Sequence, residues 1–457
     1  MQKESSTIAA VSTPLAVGGI GVIRVSGPEA HLIAEKIFRP AGKRSVSACP
    51  GYSALFGRLF DRDGEFDEAV VTVFRAPHSY TGEDVAEISC HGGVYLVRRA
   101  LRALIENGAE PAAPGEFTKR AFLNGKLSLT QAEAVMDLIG AQGEQAARAA
   151  LTSRDGALYR KIGAISERLA ALDGHLAAWV DYPEEEIEEV EPAVLERSLG
   201  EVLAEGETLL ATFDGGKLLR EGVDTVIAGS PNVGKSTLMN LLAGCEKSIV
   251  TDIPGTTRDV VEEAVRVGDV LLRLADTAGL RRTDDPVETA GVSLARRRLE
   301  RAGLVLAVFD SSRPLEEEDR RLLKEIAGRP AVAVINKSDL PPRLEREEVE
   351  QAVGETVWIS AARGSGVEEL SAAIARVLSI ASIDTTAAMI ANERQRDCLL
   401  GALSALREAL SALAEGQTLD AVGVCVEEAL QHLGDLTGER AGDLVIEQVF
   451  SRFCVGK

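Results

Sequence analysis

The six cysteines are scattered through 457 residues, and no two stand as a Cys-x-x-Cys pair. The usual signatures of structural zinc and of a disulfide framework are therefore missing, which points to a reducing compartment. Positive charge is also in deficit: 50 Lys and Arg face 71 Asp and Glu, for a formal charge of −21. Residues 1–120 hold 14 basic and 14 acidic side chains, so the excess lies in residues 121–457, with 36 against 57. Phosphate affinity comes mainly from Lys and Arg, so a chain this acidic is excluded as a non-specific coat for nucleic acid. If it handles RNA, a basic partner or a small local patch must help; otherwise the acidity serves solubility. Long apolar runs are missing too. The uncharged stretch 7–23 imitates a signal peptide, but it contains Pro14, Gly18, Gly19 and Gly21, and only Lys3 and Glu4 carry charge before it. It reads as strand, turn, strand, and no other run is long enough to span a bilayer. An acid-containing N-terminus without Arg enrichment argues against an import precursor, so a cytoplasmic setting with no membrane partner is expected.

What is present is ordinary for a globular chain, with 45% hydrophobic and 26% charged residues. The length suggests about three domains. Residues 1–120 alternate short apolar runs with turns. Residues 21–25 and 68–74 read as strands, and residues 94–107 as a helix ending at Gly108. From Thr130 the texture changes: residues 130–180 are Ala-rich with helical spacing, as in Ala146, Ala149, Ala150 and Leu151, and another helix is expected over 194–213. The acidic run 181–189 interrupts them as a solvated loop, broken by Pro183. Residues 221–379 alternate strand and helix, the pattern of a parallel α/β sheet. Helices resume over 391–414 and 419–433. The expected fold class is α/β plus all-α. It comprises an N-terminal mixed α/β domain (1–120), a helical domain discontinuous in sequence (121–220 and 380–457), and an inserted P-loop domain with a mostly parallel sheet (221–379).

The inserted segment carries the chemistry. Gly229-Ser-Pro-Asn-Val-Gly-Lys-Ser236 fits G-x-x-x-x-G-K-[ST] between an apolar strand and a helical run, the context a phosphate loop requires. Asn232, Val233, Gly234, Lys235, Ser236 and Thr237 are thus expected around GTP. Lys235 should reach the β- and γ-phosphates, and the Ser236 hydroxyl should bind Mg2+. Asp276, Thr277, Ala278 and Gly279 form D-x-x-G after a second apolar strand. There a carboxylate can hold Mg2+ through water and the Gly279 N–H can sense the γ-phosphate. Asn336-Lys337-Ser338-Asp339 follows a third strand. The Asp339 carboxylate can accept from guanine N1–H and the 2-amino group. Adenine lacks those donors, and a buried acceptor left unpaired rejects it. Ser360, Ala361 and Ala362 follow a fourth strand, where a backbone N–H can meet guanine O6. Four motifs in order, each at a strand end, identify a guanine-nucleotide site.

The segment looks like the translation-factor class of small GTPases. Ras-type proteins place a water-positioning Gln after D-x-x-G, but this chain has Leu280 there, so hydrolysis needs another route. Asn232 lies inside the phosphate loop, where its amide oxygen can ligate a monovalent cation that neutralises developing charge. The loop Thr251, Asp252, Ile253, Pro254, Gly255, Thr256 and Thr257 is rich in hydroxyls and carbonyls, which suit K+ and Mg2+. Thr257 is the natural second Mg2+ hydroxyl. Glu288, from its residues alone, reads as a solvated loop charge.

From end to end the chain resembles the MnmE (TrmE) family of tRNA-modifying GTPases. The resemblance rests on residues 18–27, on Tyr80-Thr-Gly-Glu-Asp-Val-Ala-Glu87 and on Cys90-His-Gly-Gly93. It also rests on residues 114–126, 181–186 and 255–259, and on the terminal Phe453-Cys-Val-Gly-Lys457. It implies a K+-stimulated GTPase that forms a homodimer through its N-terminal domain. Asn232 would ligate K+ with the carbonyls of Thr251, Ile253 and Thr256, and Glu288 would take the acidic catalytic role beside Arg281. A tetrahydrofolate derivative (5,10-methylene- or 5-formyl-) would meet Arg24, Glu87, Lys126 and Lys457. Cations suit its glutamate tail, and a carboxylate suits the adjacent donors of its pterin edge. Cys454, beside Lys457, would matter for modification, whereas the other cysteines read as small core hydrophobes. The implied partner is MnmG, an FAD protein that would hold most of the tRNA while C5 of the wobble uridine (position 34) is modified. The competing readings are a ribosome-assembly GTPase similar to Era or EngA, and a structural GTP switch without one-carbon chemistry.

Overall fold

The computed structural model describes residues 6–181, 191–245, 263–274 and 299–457. The chain divides into two compact units. One holds Met1–Met136, Tyr159–Leu199 and Ser404–Lys457; the other holds Asp137–Leu158 and Gly200–Leu403.

The first unit is built on a seven-stranded sheet. Its strands are β1 (Ile8–Val11), β2 (Ile20–Ser26), β3 (Phe38–Pro40), β4 (Ser53–Asp61), β5 (Gly64–Phe74), β6 (Val85–His91) and β7 (Glu110–Pro111). They lie in the order β3-β4-β5-β6-β2-β1-β7, antiparallel except where β7 joins β1. Strand side chains alternate faces with period two. Ile23 and Val25 on β2, Val71 and Val73 on β5, and Ile88 on β6 therefore share one face and are buried beneath the helices Ala30–Ile37 and Val94–Glu106. The same alternation puts Arg24, Thr72 and Glu87 on the other face, and register sets Glu87 opposite both Arg24 and Thr72. Residues 7–23 do form strand, loop and strand. The helix expected over 94–107 closes at Glu106, and Gly108 then takes a φ of 115°.

A buried ionic group fastens the helix Glu116–Leu123 to this sheet. Arg120 is 2% exposed; it donates to Ser6 O at 2.7 Å and to Glu116 Oε1 at 2.9 Å, and lies 3.4 Å from Glu83. Glu83 in turn accepts from the Ser26 hydroxyl of β2 at 2.7 Å. A smaller core of Leu129, Ala132, Ile446, Phe450 and Phe453 brings the end of the chain beside these residues.

The second unit carries six strands. They are β8 (Val223–Ala228), β9 (Glu263–Val267), β10 (Val270–Leu274), β11 (Leu304–Asp310), β12 (Ala331–Asn336) and β13 (Thr356–Trp358). Their order is β13-β12-β11-β8-β10-β9, and every pairing is parallel except β9 with β10. Strands β11 and β12 are buried along their whole length, which is why they read as unbroken apolar runs rather than alternating ones. Helices Lys235–Cys245 and Val367–Val377 cover one face, and Glu317–Ile326 and Arg346–Ala352 the other. The mostly parallel P-loop sheet is thus present as expected. Helical segments fall in both units. Among the described residues no helix is long and apolar enough to cross a membrane. The described cysteines Cys49, Cys90, Cys398, Cys425 and Cys454 are all free thiols.

Removing one partner of a buried ionic group leaves the others uncompensated. Arg120→Ala should therefore lower stability by about 3 kcal/mol. Urea unfolding of the full chain checks this, and an unchanged midpoint would contradict the assigned role of Arg120.

Candidate functional site

Strand β8 ends at Ala228, and the helix Lys235–Cys245 begins seven residues later. Two glycines make the loop between them possible. At Gly229, with φ 153°, a Cβ would stand 2.4 Å from Val308 O of β11; at Gly234, with φ 98°, one would stand 2.2 Å from Asn336 Nδ2. Asn232 sits in the left-handed region with φ 62°, which Asn tolerates better than most residues. Val233 is fully buried and pins the loop from beneath, while the side chains of Asn232 and Ser236 are exposed. The first turn of the helix presents N–H groups without helical partners, the usual cradle for an anion. The ammonium of Lys235 donates to Gly229 O at 2.7 Å and Ser230 O at 2.8 Å. Burial lowers its pKa, against the opposing pull of Glu318.

A buried carboxylate anchors the loop from the other side. The Ser230 hydroxyl donates to Asp319 Oδ1 at 2.6 Å. Asp319 is 2% exposed, and its second oxygen accepts from Glu316 N at 3.0 Å, capping the helix Glu317–Ile326. Nothing but an acid near a helix start marks Asp319 in the sequence.

The base-facing loops meet at Asn336, itself 2% exposed. Its Nδ2 donates to Val233 O at 2.9 Å, and its Oδ1 accepts from Ala361 N at 3.0 Å. One amide therefore joins the phosphate loop to the loop after β13. Ser360 N donates to Ser365 O at 3.1 Å. With the Ser360 and Ala361 N–H groups engaged, Ala362 is the member of the trio left to offer an N–H to a base. Lys337, with φ 62°, pairs its ammonium with Asp310 at the end of β11. Burial would raise the pKa of Asp310, but hydrogen bonds from Lys337 and Ser312 outweigh it and hold the carboxyl below its usual range. Asp339 Oδ1 accepts from the Ser360 hydroxyl at 2.7 Å, and this hydrogen bond keeps it ionised to lower pH than usual. An ionised, oriented carboxylate can accept two parallel N–H donors.

The second cluster lies in the first unit. Arg24 Nε donates to Glu87 Oε1 at 2.9 Å, and the guanidinium lies 5.2 Å from the Tyr80 ring centroid and 5.5 Å from that of Phe117. The chain end closes over it. Gly456 O accepts from Ser12 Oγ at 3.2 Å and from Arg24 at 3.4 Å, and Cys454 O accepts from Gly115 N at 3.3 Å. Gly456 has φ 94°, and a Cβ there would meet Val11 O at 2.2 Å. Lys457 Nζ lies 6.0 Å from the Tyr80 ring centroid. Burial, and then Arg24, push its pKa down, opposed by Glu87 and Cys454. Arg24, Glu87 and Lys457 thus come together. Lys126 makes a different hydrogen bond, donating to Pro77 O at 3.1 Å. The Cys454 residue is exposed.

Residues 129–454 match the family model described as the MnmE helical domain, and residues 7–126 match that of the GTP-binding protein TrmE N-terminus. The tRNA modification GTPase MnmE of Symbiobacterium thermophilum is 44% identical over 455 residues, covering 99% of each chain. The chain belongs to the MnmE family. Its relative of the same description in Geobacillus kaustophilus is 43% identical over 461 residues, with 99% of this chain and 100% of that one covered. The Bacillus subtilis MnmE is 40% identical over 457 residues, at the same coverage. Among solved structures, the G domain of the T. maritima FeoB iron transporter is 28% identical, covering 34% of this chain and 98% of that one. Its TM-score is 0.26.

Several residues expected in an MnmE-family nucleotide site lie outside the described residues. These are Thr251, Asp252, Ile253, Pro254, Gly255, Thr256 and Thr257, then Asp276, Thr277, Ala278 and Gly279, and Glu288 with its neighbour Arg281.

The contact of Gly234 with Asn336 generates a prediction. Gly234→Ala forces a Cβ onto the Asn336 amide and should weaken GTP binding by about tenfold or more, since a displaced buried amide costs about 1–3 kcal/mol. Fluorescent GTP-analogue titration measures it, and unaltered affinity would contradict the geometry.

Proposed function

We propose that this chain is a K+-stimulated GTPase that, with the FAD protein MnmG, modifies C5 of the wobble uridine of certain tRNAs. The methylene group would come from tetrahydrofolate, and GTP hydrolysis would drive G-domain dimerisation and switching. The family membership supports the tRNA substrate. The observation that carries the finer reading is the chain end laid over Arg24 and Glu87, because the nucleotide loops alone would serve any GTPase.

Within residues 221–379, Lys235 would swing from the carbonyls of Gly229 and Ser230 to the β- and γ-phosphates. The exchange is of one set of oxygens for another. The exposed Ser236 hydroxyl at the first helical turn suits Mg2+, with Thr257 as the second hydroxyl. The exposed Asn232 amide, held outward by its left-handed backbone, suits K+, with the carbonyls of Thr251, Ile253 and Thr256 completing the set. Mg2+ and K+ supply charge stabilisation on the phosphates when bound. Asp339 would accept from guanine N1–H and the 2-amino group, and the Ala362 N–H would meet O6. Glu288 would orient water in place of the absent Gln.

Residues 1–120 would bind the folate and form the homodimer, with 121–220 and 380–457 as the helical domain. Glu87, fixed by Arg24, can accept from the adjacent donors of a pterin edge. The half-buried Lys457 and Arg24 supply positive charge beside the Tyr80 ring, on which a flat heterocycle can stack. Lys126, exposed and held by one carbonyl, can turn to the glutamate tail. The folate supplies the one-carbon unit when bound. Cys454, exposed beside that cluster, is the nearby thiol.

Calorimetric titration of 5-formyltetrahydrofolate into the full chain tests this reading. Saturable binding is expected, weakened by about tenfold or more in Arg24→Ala, where charge-assisted contacts worth about 1.5–3 kcal/mol are lost. No binding by well-folded wild type would remove the one-carbon role and leave the GTPase.

A further inference from the structure

An open pocket of about 480 Å3 lies in the first unit, between the β4–β5 turn and the outer face of the helix Val94–Glu106. Four arginines line it: Arg62 from the turn and Arg98, Arg99 and Arg102 from the helix. One of them is spoken for. Arg99 donates to both oxygens of Asp61, at 2.6 and 2.8 Å. This bidentate pair clamps the turn to the helix and fixes where Arg62 stands, because Arg62 and Asp63 are the two turn residues between paired Asp61 and Gly64. The other three, Arg62, Arg98 and Arg102, are exposed. None of them makes a hydrogen bond or ion pair among the described residues.

Helical spacing explains the convergence. Tyr95, Arg98 and Arg102 stand at i, i+3 and i+7, on one stripe, while Val97, Ala100 and Leu104 face the core. Tyr95 is 71% exposed and lines the same pocket. Asp63 and Glu106 also line it. They form no ion pair with the three arginines and narrow the positive surface to a strip. Four arginines against the three carboxylates Asp61, Asp63 and Glu106 leave the lining of the pocket positive, and three of those guanidiniums have donors to spare for a further anion. The arrangement is unusual in a chain of net charge −21, where carboxylates to neutralise them are plentiful.

We propose that this pocket docks the phosphate backbone of RNA, with Arg62, Arg98 and Arg102 on phosphate oxygens and Tyr95 available to stack on an unpaired base. The inference rests on the tRNA reading above. It supplies the local basic patch that so acidic a chain needs if it is to touch RNA itself. The guanidinium fork matches phosphate geometry, and an exposed aromatic beside it favours a nucleic acid over an acidic peptide.

The test is filter binding of a tRNA transcript to the full-length wild type and to the triple variant Arg62→Gln, Arg98→Gln, Arg102→Gln, across a salt series. Arg99 is left in place so that the clamp to Asp61 survives. GTP turnover and circular dichroism of the variant should equal those of the wild type, which certifies the fold. The expected result is binding about tenfold or more weaker, with a log K against log salt slope shallower by about 2, since each phosphate contact contributes about 0.7–0.9. Equal affinity and slope in the two proteins would overturn the site and leave the functional reading intact. A wild type that binds no tRNA would overturn the site as well; the functional reading falls only if tRNA in cells lacking the chain keeps its modified wobble uridine. Displacement of the tRNA by micromolar inorganic pyrophosphate would assign the pocket to a small phosphorylated ligand and overturn the RNA assignment.

Discussion

A single buried amide, that of Asn336, holds the nucleotide-facing loops in one arrangement. Its two polar atoms are used on different loops, Val233 O before the phosphate-binding helix and Ala361 N after β13. A buried amide in this position has no water to turn to, so either loop moving away would strand a donor or an acceptor. The glycine at 234 exists to let that amide approach, and the parallel order of β8, β11 and β12 brings the three strand ends to the same edge. The other fastenings, Ser230 to Asp319 and Lys337 to Asp310, extend the same network outward. The site is therefore a property of the sheet's register before it is a property of any one motif.

The second constraint is the return of the chain end to the first strands. Ser12 and Arg24 both donate to Gly456 O, so residues more than 400 positions apart share one site. Lys457 could not reach this position from a tail with a side chain at 456, because Val11 O occupies that space. The consequence is chemical as well as structural. Two cations, one carboxylate and an aromatic ring are brought together in a partly buried place, where their interactions are stronger than in water.

Much of this was legible in the sequence, for identifiable reasons. Strand β12 announces itself as an apolar run because both its faces are covered, and the phosphate loop because glycine, lysine and serine have few alternatives at that spacing. Strand β4 was not legible: Gly57 interrupts it and its exposed positions carry Ala54 and Phe56, which blurs the alternation. Asp310 and Asp319 were invisible as site residues, since an acid has meaning only through what it meets, and each meets a residue far along the chain. Arg24 and Glu87 were grouped by family resemblance; their pairing follows from β2–β6 register. The arginine strip on the helix Val94–Glu106 was hidden by arithmetic, because 14 acids balance the 14 bases of residues 1–120. Balanced totals conceal an unbalanced surface.

Two sites, one for a guanine nucleotide and one gathered around the chain end, stand on one polypeptide of a tRNA-modification family, and the central claim is that both serve the wobble uridine. Mass spectrometry of nucleosides from total tRNA tests that most directly, comparing cells deleted for this chain, cells complemented with it, and cells complemented with Lys235→Ala. The account predicts that the C5-modified uridine disappears on deletion, returns with the wild type, and fails to return with the variant. An unchanged level of the modified uridine in the deleted cells would contradict it.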